Sequence, residues 1–144
     1  MATVQDILTH KGSDVVALPT DATVLEAARI MNTQGIGAVM VADEGVPVGI
    51  FTERDVLRRI VAEQRDPATV RLRDVMTTAV ITCPPEMDLD QCAGIMLTRR
   101  IRHLPVVDAS GLCGVVSSRD VLAYRTEEQQ ATIEYLNRYV FNLR

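Results

Sequence analysis

The chain has 144 residues, 47% of them hydrophobic and 24% charged, with a net charge of −4 and a single lysine, Lys11. Such a balance describes one compact globular unit or two small halves, and it excludes a general nucleic-acid binder, which needs a clustered basic surface. No apolar run approaches the ~20 residues that span a bilayer and no charged start leads into an apolar segment, so no membrane association and a cytoplasmic location are expected.

Taken in chain order, Val15-Val-Ala-Leu18 is an apolar run ended by Pro19 and predicts a buried strand. Val24, Ala27, Ala28 and Met31 recur at helical spacing. Ala38–Ala42 and Val46–Phe51 predict two strands joined by the turn Asp43-Glu-Gly45. Thr52 then opens a helix carrying Val56, Leu57, Ile60 and Val61, and Gln64–Thr69 reads as a polar connector.

Beyond the connector the chain repeats itself. Gly49-Ile-Phe-Thr-Glu-Arg-Asp55 returns as Gly114-Val-Val-Ser-Ser-Arg-Asp120, displaced by 65 positions. At the same displacement Pro19 falls on Pro84, Ala28 on Ala93, Met31 on Met96, Ile36 on Ile101 and Asp43 on Asp108, without a gap from Pro19 to Leu57. Leu89, Cys92, Ala93 and Met96 repeat the helical stripe. An ungapped match of that length is a duplicated structural unit.

Each half therefore reads β-α-β-β-α, with a three-stranded sheet that has helices for only one face. The expected fold is α/β (α+β), with the two copies packed sheet to sheet about a pseudo-twofold axis so that no apolar sheet face stays wet. Residues 1–66 form the first repeat and 67–125 the second. Thr126-Glu-Glu opens a separate C-terminal helix over 126–144, with a cap and an acidic first turn. Its stripe of Ile133, Leu136, Val140 and Leu143, flanked by Tyr135 and Tyr139, is either core or a homodimer contact.

The tandem order, the Gly-apolar-apolar-Thr/Ser-x-x-Asp ending of each third strand, and Arg102-His-Leu-Pro-Val-Val-Asp108 resemble a CBS-domain pair, the cystathionine β-synthase domain or Bateman module. The resemblance runs from about Val4 to Tyr124 and is closest to small stand-alone bacterial members. Gln5-Asp-Ile-Leu8 and Arg73-Asp-Val-Met76 match the family's lead-in helices. It implies a regulatory module that holds an adenosine-containing ligand (AMP, ADP, ATP, NAD(H) or S-adenosylmethionine) in clefts between the copies, forms a disc-shaped homodimer and acts on a protein target.

The chemistry of the repeated segment fits that implication. A carboxylate at a helix start can accept hydrogen bonds from both ribose hydroxyls, which suits Asp55 and Asp120. Thr52 and Ser117 sit where a hydroxyl and free N–H groups can meet a phosphate, and Ile50 and Val115 offer apolar walls for adenine. The same spacing is also a helix capping pattern that needs no ligand, so both readings stand.

In the family the residues before Leu-Pro-Val-Val-Asp help hold phosphate. Here they are Arg102 and His103 in the second repeat but Gly37 and Ala38 in the first, so the clefts are expected to be unequal. The main cleft would take Lys11 and Val16 from the first repeat with Arg102, His103, Val115, Ser117, Arg119 and Asp120 from the second. Lys11 reads equally well as a solvated loop lysine. The weaker cleft would take Ile50, Thr52, Arg54 and Asp55 with Met76, Thr77 and Ile81. A phosphate beside His103 would raise its pKa and make binding weaken above neutral pH.

No enzyme is expected, because the chain lacks a Ser-His-Asp arrangement, a zinc-protease motif and the glycine-rich phosphate and dinucleotide loops. Cys83, Cys92 and Cys113 are odd in number and scattered, and His10 and His103 lie far apart, so neither disulfides nor a metal site is expected. The alternative is a constitutive dimerisation or docking module with vestigial clefts, with a variant that acts alongside a redox partner.

Overall fold

The computed structural model describes residues 1–12 and 14–142, with side chains through Val140. Helix α1 spans Val4–Lys11 and is capped by Thr3, whose N–H donates to Asp6 Oδ2 at 2.8 Å. Helix α2, Val24–Gln34, is capped by Thr23, which accepts from the Glu26 N–H at 3.1 Å, and is ended by Gly35 at φ 64°. A left-handed residue here closes the helix by returning its N–H to the last turn, and glycine adopts that conformation without a Cβ penalty. Its counterpart after α5 (Leu89–Arg99) is Arg100 at φ 55°, so the second repeat keeps the bend without the glycine.

Strands β1 (Ala17–Leu18), β2 (Ala38–Asp43) and β3 (Val46–Thr52) form one sheet, β1 parallel and β3 antiparallel to β2. The β2–β3 turn places both Glu44 and Gly45 at positive φ, as the twist-matched two-residue hairpin turn requires. Strands β4 (His103–Asp108) and β5 (Gly111–Ser117) form the second sheet.

Three expectations need correction here. The first strand shrinks from Val15–Leu18 to Ala17–Leu18. The second sheet has two strands, its would-be first strand reduced to one parallel bridge between Cys83 and Val106. The third concerns the C-terminus: α6 runs unbroken over Ser118–Asn142, and the Thr126 hydroxyl donates to the Leu122 carbonyl at 2.8 Å inside it instead of capping a new helix. Helical spacing continues across Thr126, and a threonine that returns its hydroxyl to the preceding turn does not break a helix.

The helix after Thr52 also departs from expectation. Glu53–Asp55 (α3) gives way to a π-helical stretch, Val56–Val61, in which Ala62 N–H donates to the Leu57 carbonyl. The wider turn breaks the 3.6-residue period, so Ile60 is buried while Leu57 and Val61 are exposed.

The core has two parts, and the chain crosses between them. One cluster joins Val24, Ala27, Met31, Val39, Val41 and Phe51 to Leu72 and Val75 of the short helix α4, Leu72–Val75. The other joins Leu89, Cys92, Leu104 and Val116 to Val4, Ile7 and Leu8 of α1. Each lead-in helix thus completes the core of the opposite repeat. Backbone bonds repeat the exchange: Leu89 N–H donates to Ala2 O at 3.1 Å, and Leu72 N–H to Ala22 O at 2.9 Å. Met40, Ile50 and Pro105 are buried yet belong to neither cluster; strand alternation puts them on the sheet faces opposite the helices.

Candidate functional site

The lead-in segments differ in length, and that difference builds the site. Leu8 packs where Gly114 leaves room, a Cβ there lying 2.7 Å from Leu8 Cδ2; Met76 does the same at Gly49, where the corresponding approach is 2.6 Å to its sulfur. From these matched anchors Pro19 follows 11 positions after Leu8, but Pro84 only 8 after Met76. The longer segment places Lys11 and Val16 in a cleft beside β5, whereas the shorter one pairs with β3 through Thr77.

The cleft on the long side encloses about 930 Å³. It gathers Lys11, Val16, Arg102, His103, Val115, Ser117, Arg119 and Asp120, and so brings together the whole set of residues expected for the main cleft. Asp120 Oδ2 accepts from the Ser117 N–H at 2.8 Å, while the Asp120 N–H donates to Ser117 Oγ at 3.0 Å. Lys11 Nζ donates to the same Asp120 oxygen at 2.6 Å and to the Val115 carbonyl at 2.8 Å. Burial alone would raise the Asp120 carboxyl, but the bonds from Lys11 and Ser117 together hold it below its ordinary value.

Opposite Asp120 the floor is made by the end of α2 and the start of β2. Gly37 is bare there for a steric reason: a Cβ would lie 3.2 Å from His103 Nε2 and 3.3 Å from Glu53 Oε1. Burial lowers the His103 pKa, with Glu53 and Asp120 pulling the other way. The imidazole is therefore neutral at physiological pH when the cleft is empty, and the rise expected at a phosphate would begin from this depressed value. Glu53, which also lines the cleft, escaped the sequence reading. The repeat offered a signal, since Glu53 aligns with Ser118 and its N–H donates to Gly37 O just as Ser118 N–H donates to Arg102 O.

On the short side the corresponding space is filled by the protein itself. Thr77 and Ile50 exchange backbone bonds, Thr77 N–H to Ile50 O at 2.9 Å and Ile50 N–H to Thr77 O at 3.0 Å. Asp55 Oδ2 accepts from the Thr52 N–H at 3.0 Å and from its hydroxyl at 3.2 Å. The cation at Asp55 is Arg59, 3.6 Å away, which also donates to the Val75 carbonyl at 2.8 Å. Arg54, expected from the sequence, is not the partner here; Arg59 stands four positions after Asp55, the spacing that puts two side chains on one helix face. Met76 lies against Gly49, and Ile81 packs against the second-repeat core.

The thiols lie outside both clefts. Cys83 and Cys92 are buried, and burial pushes the Cys83 thiol up to about 12 and raises that of Cys92. Cys113 is only half-buried, and its thiol lies beside Asp108, which raises its pKa. None of the three is poised as a thiolate at neutral pH.

The family described as CBS domain matches residues 4–62 and again 72–127. The chain belongs to the CBS-domain family. It is 32% identical to the CBS domain-containing protein YhcV of Bacillus subtilis over 131 residues, covering 91% of each chain. Among solved structures it resembles a protein with CBS domains from Burkholderia ambifaria, with a TM-score of 0.86 and 34% identity over 89% of this chain and 96% of that one. The CBS domain pair of protein MJ0100, determined with 5′-methylthioadenosine and S-adenosylmethionine, aligns with a TM-score of 0.78 and 27% identity over 89% of this chain and 98% of that one. Each matched segment contains one copy of the ungapped repeat, Pro19–Leu57 or Pro84–Leu122, and among the described residues no helix is long and apolar enough to cross a membrane.

Proposed function

We propose that this chain is a regulatory CBS pair, not a catalyst, whose long-side cleft binds one adenosine-containing ligand and reports its level to a protein target in the cytosol. The observation that carries this reading is the convergence of Lys11 from one repeat with Asp120 and the Val115 carbonyl of the other in a cleft of about 930 Å³. The volume falls within the range of small-molecule sites. Asp120 would take the ribose hydroxyls, Val16 and Val115 would flank the base, and Arg102, His103 and Arg119 would face any phosphate. The co-structure of MJ0100 with two adenosyl compounds supports the ligand class.

A ligand that bridges both repeats favours one relative arrangement of them, and only such a difference between states can drive a response. Two copies would associate as a homodimer through the exposed Leu57, Leu97 and Leu122, apolar positions that water disfavours. Free thiols suit a reducing compartment. The short-side cleft would stay empty, its strand edge already paired through Thr77. Constitutive docking with vestigial clefts is favoured there by that pairing, but not on the long side.

Thermal unfolding against AMP, ADP, ATP, NAD, NADH and S-adenosylmethionine tests the proposal, because a ligand of the native state raises the midpoint with concentration. A rise with one or two of them, lost in Asp120→Ala, is expected. No shift at millimolar concentration with any of them would refute it.

A further inference from the structure

The C-terminal stripe is not core, since Ile133, Leu136 and Val140 are exposed, and Leu143 lies outside the described residues. The charges that the chain leaves unmatched, and that point at a ligand, lie in the long-side cleft.

That cleft is lined by three cations, Lys11, Arg102 and Arg119, and by three carboxylates, Asp14, Glu53 and Asp120. Lys11 and Asp120 answer each other at 2.6 Å. The other four form no ion pair among the described residues, and they are sorted by repeat: Asp14 and Glu53 fall in the first CBS segment, Arg102 and Arg119 in the second. One side of the cleft is therefore negative and the other positive. Neither Asp14 nor Glu53 belongs to the set expected from the sequence, which counted the cations alone.

Glu53 reaches in because Gly37 is bare. Its Oε1 lies 3.3 Å from the point where a Cβ would stand, and His103 Nε2 lies 3.2 Å from the same point, so the carboxylate looks across to the second repeat. His103, whose pKa burial lowers, adds no charge there at neutral pH. Separated charges of both signs favour a ligand that carries both, because complementary potentials select a partner and like charges set against each other reject it. A polyphosphate would satisfy the arginines but turn its excess charge on Glu53 and Asp14. Ala28, Ile36 and Val56, half-buried in the first-repeat lining, offer an organic cation apolar surface that a phosphate would not use.

Resting on the adenosyl reading above, we infer that the cleft selects an adenosyl ligand bearing both a negative and a positive group, with Glu53 as the residue that sets this preference. The positive group is the pyridinium of NAD or the sulfonium and ammonium of S-adenosylmethionine.

Calorimetry on the full-length protein with NAD, NADH, S-adenosylmethionine, AMP and ATP tests it. NAD or S-adenosylmethionine is expected to bind at least fivefold tighter than ATP. Glu53→Gln, which keeps the size of the side chain, should weaken that ligand and strengthen ATP, narrowing the ratio at least threefold, whereas Arg102→Gln should weaken ATP. NADH has nearly the shape of NAD without the ring charge, so a preference for NAD over NADH assigns the cation to the pyridinium. Selection of S-adenosylmethionine alone assigns it to the methionine end. ATP binding as tightly as NAD and S-adenosylmethionine, or a ratio unmoved in Glu53→Gln, would overturn the inference and leave the adenosyl reading standing. Equal binding of NAD and NADH where S-adenosylmethionine does not bind would overturn it too. Binding of none of the five would sink the adenosyl reading and this inference together.

Discussion

Lys11 and Asp120 are joined at 2.6 Å across 109 positions of sequence, and the same ammonium reaches the Val115 carbonyl at 2.8 Å. In the proposed complex both acceptors face the ligand, so the lysine occupies its place while the cleft is empty. An uncharged nucleoside displaces it without compensation, whereas a phosphate offers it a new anionic partner. Lys11→Met should therefore raise affinity for adenosine and lower affinity for AMP. Hydrogen bonds to charged groups contribute about 1.5–3 kcal/mol, so the AMP-to-adenosine affinity ratio should fall at least roughly tenfold by calorimetry. An equal change for both ligands would count against this role.

The two aspartates share a spacing but not a situation. Asp120 lines an open cleft, while Asp55 is engaged by Thr52 and Arg59 in a filled one. Asp120→Ala is expected to reduce nucleotide affinity by more than tenfold, and Asp55→Ala by less than twofold. Each loses the acidic half of a reciprocal capping pair with Thr52 or Ser117, so their melting points should fall by similar amounts. Equal affinity losses would reverse the ranking of the clefts.

Acid should destabilise the protein in two steps. The unfolded chain protonates His103 near 6.5, while the folded site resists because burial holds its pKa lower. Between those values the unfolded state binds more protons, so stability falls as pH falls. Asp120, depressed from 3.8, adds a second loss with the same sign as its native partners are surrendered below that pH. Urea titrations at stepped pH should show the first slope flattened in His103→Gln and retained in Asp120→Asn. An unchanged slope in His103→Gln would rule out the histidine as its source.

Gly49→Ala tests the closure of the short side. The added Cβ would lie 2.6 Å from Met76 Sδ and 3.0 Å from the Thr77 carbonyl. The methionine can turn away, but a carbonyl held by the Ile50 pairing cannot. Overpacking of this kind costs about 1–3 kcal/mol. Gly114→Ala, whose nearest neighbours are Leu8 side-chain atoms, should cost less. A larger loss at Gly114 than at Gly49 in chemical denaturation would argue against the rigid pairing.

Much of this was legible because the chain states it twice. The ungapped match from Pro19 to Leu57 exposed the repeat, and the glycine-to-aspartate segment ending at Asp120 marked one end of the cleft. What stayed hidden was three-dimensional. Nothing local told that Val4, Ile7 and Leu8 complete the opposite core, since helical spacing gives a face but not the surface it meets. Glu53 was missed because its role depends on bare Gly37. Arg59 was missed because the repeated motif ends at Asp55 and the arginine that reaches it lies one helical turn beyond. The break expected at Thr126 reflected a capping pattern that the surrounding helix overrides.

The crossed lead-in helices bear on how such a chain could arise. A single ancestral half would have no partner repeat, yet two such molecules could trade lead-ins and each finish the other's core. Joining two copies head to tail would turn that trade between molecules into one within a chain, freeing assembly from concentration. Once linked, the copies could diverge, one lengthening its lead-in to open a cleft and the other staying short to close it.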